Sequence, residues 1–172
     1  MKFTSSLLAI ALLAALTAPA SAGDPATSGA LGERANRIAG LWSTQGAVRR
    51  CGSALPTATV RNTLVFHAGG TVSENARFPP DGALNVYNVP GINQRSTGLG
   101  KWSYDPMPGT YAMHLRFDWY VDGVYHGHQT VEREILLSND GTQAAGSIRT
   151  VRYGLDGSVV AALCGSSVST RL

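Results

Sequence analysis

Charged residues and long apolar segments are both scarce in this chain of 172 residues. Only 15% of the residues are charged, with 14 Lys plus Arg against 11 Asp plus Glu, and the basic residues do not cluster. A small and scattered positive charge argues against a nucleic-acid-binding surface. No stretch approaches the ~18 uncharged apolar residues that a membrane-spanning helix requires. The sequence therefore predicts neither a nucleic-acid partner nor a membrane span.

Common catalytic and cofactor motifs are also lacking. Neither Gly-x-Ser-x-Gly nor Gly-x-Gly-x-x-Gly occurs within a strand–turn–helix element, and no phosphate-binding loop is present. We therefore expect no cofactor. Enzymatic activity stays open at this stage, although the sequence favours a protein that is not an enzyme.

The first 22 residues have the pattern of an export signal. Lys2 supplies a positive start, Leu7 to Leu16 form a short apolar run, and Ala20-Ser21-Ala22 matches a signal-peptidase site. We expect cleavage after Ala22 and a mature protein that is secreted or periplasmic in a bacterium. Residues 23–37 are rich in Gly, Ala and Ser and are predicted to form a flexible leader. Residues 38–172 remain as one domain.

Cysteine is limited to Cys51 and Cys164. In an oxidising compartment an even pair most often forms a disulfide. Two cysteines outside a Cys-x-x-Cys motif supply too few ligands for a metal, so we predict a structural disulfide and no metal site.

Short runs rich in β-favouring residues follow one another from Ile38 onward. Gly-containing turns such as Asp122-Gly123, Asn139-Asp140-Gly141 and Asp156-Gly157 separate them. We predict eight strands, at 39–49, 58–67, 71–78, 99–104, 110–121, 124–138, 142–153 and 158–171. No helical period intervenes, which indicates an all-β antiparallel meander that closes or forms a sandwich to hide its edges.

Alternation is clearest in the fifth and sixth predicted strands. A three-residue loop, Val121-Asp122-Gly123, would pair Tyr120 with Val124 and place odd-numbered residues opposite odd-numbered ones. One face is then consistently apolar. Its members include Met113, Leu115, Phe117, Trp119, Tyr125, Val131 and Ile135.

Two residue pairs indicate that the meander closes. Trp42 in the first strand and Arg171 in the last sum to 213, and Cys51 and Cys164 sum to 215. Antiparallel partners share a constant sum, so one strand pairing brings both contacts together within diagonal reach. The sequence thus predicts an eight-stranded up-and-down barrel.

Gly40-x-Trp42 with a late Arg171 is similar to the signature of lipocalins and the wider calycins, in which an Arg stacks on the Trp at one end of the barrel. The chain more closely resembles a group of secreted bacterial proteins of unknown function with lipocalin-like barrels. The matching stretches are Gly40–Trp42, Cys51, Phe66–Thr71, Gly98–Trp102, Asp122-Gly123, Leu137–Gly141 and Cys164–Leu172. This resemblance implies a lipocalin-like fold and export but no particular activity.

The apolar stripe is the candidate ligand-binding surface. The interior of an eight-stranded barrel is either filled by side chains or holds one small ligand. A packed core and a pocket for an apolar molecule lined by Met113, Leu115, Phe117, Trp119, Tyr125, Val131 and Ile135 therefore both stay open.

The segment from Pro79 to Thr97 is long for a structureless loop, which often indicates function. Leu84, Tyr87 and Ile92 could cover a barrel mouth as a lid, or the loop could pack locally.

The ionisable residues of the two central strands form one cluster. Its members are His114, His126, His128, Asp118, Glu132 and Glu134. A solvated outer face explains it better than a metal site, because Arg116 lies among these residues.

Three functions are compatible with the sequence. The first is a secreted barrel that binds a small apolar ligand. The alternatives are a barrel enzyme of the cyclase or isomerase type and a ligand-free envelope or interaction protein. A cavity and its lining would discriminate among them, whereas the oligomeric state is not indicated.

Overall fold

A computed structural model describes residues 32–54 and 58–172. The predicted signal peptide and residues 23–31 of the predicted leader lie outside the described residues. Within the described part of the chain, no helix is long and apolar enough to cross a membrane.

In residues 32–54 and 58–172, ten β-strands and one short 3-10 helix, Val86–Asn88, make up almost all of the regular structure. The strands are β1 Gly40–Arg50, β2 Ala58–His67, β3 Thr71–Ala76, β4 Ala83–Leu84, β5 Ile92–Arg95, β6 Gly98–Asp105, β7 Thr110–Val121, β8 Val124–Leu137, β9 Gln143–Tyr153 and β10 Val159–Arg171. Eight of them agree with the predicted strands to within about two residues at each end.

Those eight strands form a closed antiparallel barrel. Within the ring, each of β1, β2, β3, β6, β7, β8, β9 and β10 pairs with two of the other seven, and the β1–β10 and β7–β8 pairings complete it. Closure leaves no long unpaired edge, which an open sheet of this size would expose. The predicted all-β, eight-stranded up-and-down barrel is confirmed.

The β1–β10 seam has the register that the sequence predicts. Trp42 pairs with Arg171 and Arg49 pairs with Cys164. Cys51 extends this pairing, because its amide donates to the carbonyl oxygen of Ala162 at 3.2 Å. Cys164 lies two residues beyond Ala162 on β10, so its side chain is diagonal to that of Cys51 and within reach of it. The predicted Cys51–Cys164 disulfide is confirmed. The disulfide indicates an oxidising, extracytoplasmic environment.

The β7–β8 hairpin differs from its predicted register. The turn is Asp122-Gly123, with both residues at positive φ as a type I′ hairpin turn requires, so Val121 pairs with Val124. A bulge then inserts His126 opposite the step from Trp119 to Tyr120. The paired positions sum to 246 beyond the bulge, as in Tyr111↔Ile135, instead of the expected 244.

The predicted sum, 244, and the observed sum, 246, are both even, so odd-numbered residues still lie opposite odd-numbered ones. The predicted inner and outer faces are therefore correct for most of the hairpin. Tyr125 is the exception, since it lies on the turn side of the bulge. It is 40% exposed and packs against Tyr120 with ring centroids 6.0 Å apart. Its predicted inward position is therefore wrong.

One end of the barrel is closed by Trp42 of β1, together with Ile38, which precedes β1, and Arg171 of β10. Trp42 is fully buried and donates from Nε1 to the carbonyl oxygen of Ile38 at 2.9 Å. The guanidinium of Arg171 lies over its ring, 4.4 Å from the centroid. Gly40 passes so close to this guanidinium that a Cβ would meet Nη1 at 2.5 Å. Gly40 also has a φ of +136°, which L side chains rarely adopt, so glycine is strongly favoured at this position.

Part of the predicted leader belongs to this closed end. Residues 32–36 are helical, and the carbonyl oxygen of Arg34 accepts a hydrogen bond from the Tyr111 hydroxyl at 2.7 Å. Arg37 donates to the carbonyl oxygen of Asn139 at 2.6 Å. Residues 32–37 thus bond to the barrel rim through their backbone and side chains, whereas the flexible leader over 23–37 stays a prediction.

The sequence predicts a structureless loop from Pro79 to Thr97, but this segment contains two short strands. β4 and β5 pair within it, and β5 continues along the β7 edge with Arg95 opposite Trp119. The segment therefore extends the barrel wall beyond the start of β6.

The barrel interior is filled at the closed end, where large side chains pack around Trp42. The members of this cluster include Ile38, Leu64, Phe66, Val72, Trp102, Tyr111 and Ile135. Residues at the opposite end, where β1 ends and β2 begins, line a cavity.

The β8–β9 turn gives a prediction about acid sensitivity. Asp140 accepts hydrogen bonds from the Ser138 hydroxyl at 2.6 Å and from the amide and hydroxyl of Thr142 at 3.1 and 2.8 Å. These bonds lower the pKa of Asp140 to about 2. A carboxylate with a lowered native pKa stabilises the fold above its unfolded pKa, and this contribution disappears as the pH falls through the native value.

We therefore expect Asp140→Asn to be less stable than the wild type near neutral pH, with the difference shrinking as the pH falls from about 4 to about 2. Urea unfolding across this pH range measures it. A difference that stays constant would contradict this account of the turn.

Candidate functional site

A cavity of about 510 Å³ lies inside the barrel. It is bounded by residues of β1, β2, β3, β5, β7, β8, β9 and β10 and of the 3-10 helix. It reaches the barrel end opposite Trp42, because exposed residues such as Arg50, Ala58 and Arg77 belong to its rim. Its volume lies within the range of small-molecule sites, roughly 300–1,000 Å³.

Five of the seven predicted ligand-binding residues line this cavity. They are Met113, Leu115, Phe117, Trp119 and Val131. Ile135 is buried in the packed cluster at the closed end and does not line the cavity. Tyr125 lies on the outside, displaced by the bulge. That the five lining residues bind a ligand stays a prediction.

Only one of the three predicted lid residues lines the cavity. Tyr87 lines the cavity and packs edge-on against Trp119, with ring centroids 6.1 Å apart. Leu84 is 72% exposed and Ile92 is 43% exposed, and neither lines the cavity. A lid function for this segment stays a prediction, and Tyr87 is the residue that could contribute to it.

Asn93 and Arg152 hold this segment against the barrel. Both are buried, and Arg152 donates from Nη1 and Nη2 to Asn93 Oδ1 at 3.1 and 3.2 Å. Asn93 Nδ2 donates in turn to the carbonyl oxygens of Val89 and Gly91, each at 3.0 Å. The same guanidinium lies 4.3 Å from the ring centroid of Trp119. These bonds position Tyr87 at the cavity.

A hydrogen-bond chain fixes the Trp119 indole in the wall. Its Nε1 donates to Gln129 Oε1 at 2.7 Å, and Gln129 Nε2 donates to the Thr150 hydroxyl at 2.6 Å. Thr150 donates onward to the carbonyl oxygen of Thr130 at 2.7 Å. Every donor in the chain has an acceptor, so the indole presents its apolar ring to the cavity without an unpaired N–H.

A buried ion pair interrupts the apolar wall. Glu74 is only 4% exposed and bonds to Arg95 Nη2 through one carboxylate oxygen and to Asn62 Nδ2, at 2.6 Å, through the other. The Arg95 guanidinium also lies over Phe117, 3.4 Å from the ring centroid. Both charges are thus compensated within the wall.

Arg133 is a further buried cation, and its charge is not paired with a carboxylate. It is 5% exposed, and Nη2 donates to the hydroxyl of Ser167 and, at 3.4 Å, to that of Ser169. Nε and Nη1 are buried without a hydrogen-bond partner. Burial lowers the pKa of Arg133 to about 10, and the charge of Glu74 opposes that shift. The guanidinium is therefore still charged at neutral pH.

Glu74, Arg95 and Arg133 were missed by the sequence analysis, although two of them had a signal. Arg133 has the same parity as Val131 and Ile135 in β8, and Glu74 lies between Val72 and Ala76 in β3. Alternation alone places both inside. Nothing in the sequence pattern indicates Arg95, because its position depends on how the 79–97 segment folds back.

Five of the six residues of the predicted ionisable cluster lie on the outward faces of β7 and β8, whereas the bulged residue, His126, is half-buried. His128 pairs with Asp118 and stacks on Tyr153 with ring centroids 5.0 Å apart. Burial and the nearby Arg116 lower the pKa of His128. Among residues 32–54 and 58–172, no group of three His, Cys, Asp or Glu side chains could hold a metal ion.

Fold and cavity together define a closed eight-stranded antiparallel barrel with an internal site whose largely apolar wall also contains the Glu74–Arg95 pair and Arg133. Comparison with protein-family models, with curated proteins and with solved structures finds no match to this chain. The site must therefore be interpreted from its own residues.

Proposed function

We propose that this protein is a secreted, lipocalin-like binding protein that takes a small, largely apolar molecule into its barrel. The observation that carries the proposal is the cavity of about 510 Å³, because a solid barrel would fill that space with side chains. Its wall offers Val, Leu or Ile side chains from six strands and the aromatic rings of Phe117 and Trp119. Such a wall favours a ligand with an apolar body.

Export is part of the same proposal. The disulfide requires an oxidising compartment, and residues 1–22 have the composition of a cleavable signal peptide ending at Ala22. Kinship with secreted bacterial lipocalin-like proteins rests on the matching stretches described above, including Gly40–Trp42 and Cys164–Leu172.

A cavity-filling substitution tests the site. Ala161 on β10 lines the cavity, whereas Ala145 on β9 is exposed on the outer face. We expect the wild type and Ala145→Trp to bind the neutral fluorescent probe phenylnaphthylamine alike. Ala161→Trp should bind it at least about tenfold more weakly, because the indole occupies space that the probe needs.

Ala76→Phe fills the same cavity from β3 and guards against a folding defect specific to one variant. Thermal unfolding of each variant shows which proteins remain folded. If folded Ala161→Trp and Ala76→Phe both bind the probe as the wild type does, the probe does not enter the barrel and the proposal fails.

A second candidate is an enzyme of the cyclase or isomerase type. The charged residues in the cavity wall favour it over a ligand-free interaction protein, since polar groups converge where a substrate would lie. Glu74, however, already bonds to Arg95 and Asn62 and has no free oxygen directed at a substrate. Binding therefore remains the first proposal. Recovery of a bound molecule chemically unchanged after incubation distinguishes the two.

A further inference from the structure

The charges that line the cavity are strongly unequal. Among the described residues, five arginines and one glutamate contribute to its wall. These are Arg50, Arg61, Arg77, Arg95, Arg133 and Glu74. Three of the arginines lie exposed at the rim, and the other three charged residues are inside. Such an excess of one sign around a low-dielectric space attracts anions and repels cations.

Inside the cavity the imbalance is concentrated on Arg133. Glu74 is the single internal carboxylate of the described wall, and both of its oxygens bond to Arg95 and Asn62. Arg133 bonds only to serine hydroxyls, which carry no charge. With Nε and Nη1 unpartnered, three of its five N–H donors have no acceptor.

A buried guanidinium in this state is costly in the empty protein. Buried charges are ordinarily paired, and buried donors are ordinarily bonded. Leu115, Val131 and Ile148 contribute apolar groups to the same wall, and the acceptors that bond to Arg133 are two serine hydroxyls and no carboxylate. A ligand that brings an acidic group would supply both the missing charge and the missing acceptors.

We propose that the ligand is an amphipathic monoanion, whose acidic group is held by Arg133 and whose apolar body lies against Leu115, Phe117 and Trp119. This inference rests on the proposed function and specifies the chemical class of its ligand. Arg133 acts here as the binding residue. Arg95, the other cation inside the cavity, is already paired with Glu74 and is not available to the ligand. The rim arginines draw the anion towards the opening.

Two fluorescent probes provide a matched test. Anilinonaphthalene sulfonate and phenylnaphthylamine share the same ring systems and differ by one sulfonate group. A charge-assisted hydrogen bond in a dry site is worth about tenfold to a hundredfold in affinity. We expect the wild type to bind the sulfonate at least about tenfold more tightly than the neutral probe. In Arg133→Met this preference should disappear, with the affinity for the neutral probe changing less than about threefold.

Arg149→Met is the control, because it removes one positive charge from the outer face of the neighbouring strand β9. Arg149 is exposed and forms only a surface ion pair with Glu132 at 3.4 Å. The probe preference should survive this substitution. Met at position 133 has a similar length and an apolar surface, and Ser169 retains its bond to Thr44 at 2.8 Å, so the variant is expected to fold.

The outcomes separate the two proposals. If phenylnaphthylamine enters the barrel but the sulfonate gains nothing in the wild type, the anion proposal is overturned while the binding function stands. The same conclusion follows if Arg133→Met weakens both probes equally or leaves the preference intact. If Ala161→Trp and Ala76→Phe exclude neither probe, the proposed function itself fails.

Discussion

Cys51→Ser/Cys164→Ser is expected to lose about 4–5 kcal/mol of unfolding free energy. The disulfide joins residues 113 positions apart, and a crosslink that closes a loop of about 100 residues removes that much conformational entropy from the unfolded chain. Because most domains have only about 5–15 kcal/mol of stability, the variant should be marginally folded. Urea unfolding with linear extrapolation measures the loss.

The location of the disulfide adds to this effect. It links the end of β1 to β10 at the open end of the barrel, where Cys51 extends the pairing of the two strands. Reduction of the wild type is the control, and it should reproduce the loss while leaving the double variant unchanged. A loss below about 1 kcal/mol would show that the disulfide does not constrain the unfolded chain as supposed.

Arg171→Met is expected to cost about 3 kcal/mol or more. Arg171 donates to the carbonyl oxygens of Arg37, Ala39 and Gly141 at 2.5, 2.7 and 2.8 Å, and it covers the ring of Trp42. Hydrogen bonds from a charged donor contribute about 1.5–3 kcal/mol each, although three bonds from one group are not additive. Met keeps the length of the side chain but provides no donors.

The matched control for this change is Arg149→Met, which breaks only an exposed ion pair with Glu132. Exposed ion pairs contribute about 0–1 kcal/mol, so this variant should unfold nearly as the wild type does. Urea unfolding of both variants gives the comparison. Equal stability of the two would mean that Arg171 does not hold residues 37–39 and the β8–β9 turn together at the closed end.

The barrel itself was predictable from the sequence because its signals are local and repeated. Gly-containing turns separate runs of alternating residues, and short turns join neighbouring antiparallel strands. Closure was predictable for a different reason. Trp42 with Arg171 and Cys51 with Cys164 agree on one register, so two distant pairs identify the same strand pairing.

The register of the β7–β8 hairpin was predictable only in its parity. A three-residue loop and a two-residue turn with a bulge both keep odd residues opposite odd residues, and the bulged residue, His126, leaves no clear pattern. The error therefore affects only Tyr125, between the turn and the bulge. The packing of residues 32–37 was hidden for a similar reason, since its bonds to the rim are made by backbone carbonyls and one arginine.

The charged part of the site was harder to predict than its apolar part. Alternation places Glu74 and Arg133 inside the barrel. Charged residues are rarely buried without partners, however, so the sequence analysis assigned only apolar residues to the interior. The partner of Glu74 is Arg95, which reaches it from β5, inside the segment that the sequence predicts as a loop. Such a pairing depends on tertiary contacts that one sequence does not reveal.

The most direct test of the central claim is a titration of the wild-type protein with phenylnaphthylamine, followed by NMR of the methyl groups. Leu115, Val131 and Leu163 line the cavity, whereas Leu136 and Val168 are exposed on the outer face. We predict that the inner methyl signals shift with added probe and saturate, while the outer ones do not move. Shifts confined to the outer methyl groups, or no shifts at all, would contradict binding within the barrel.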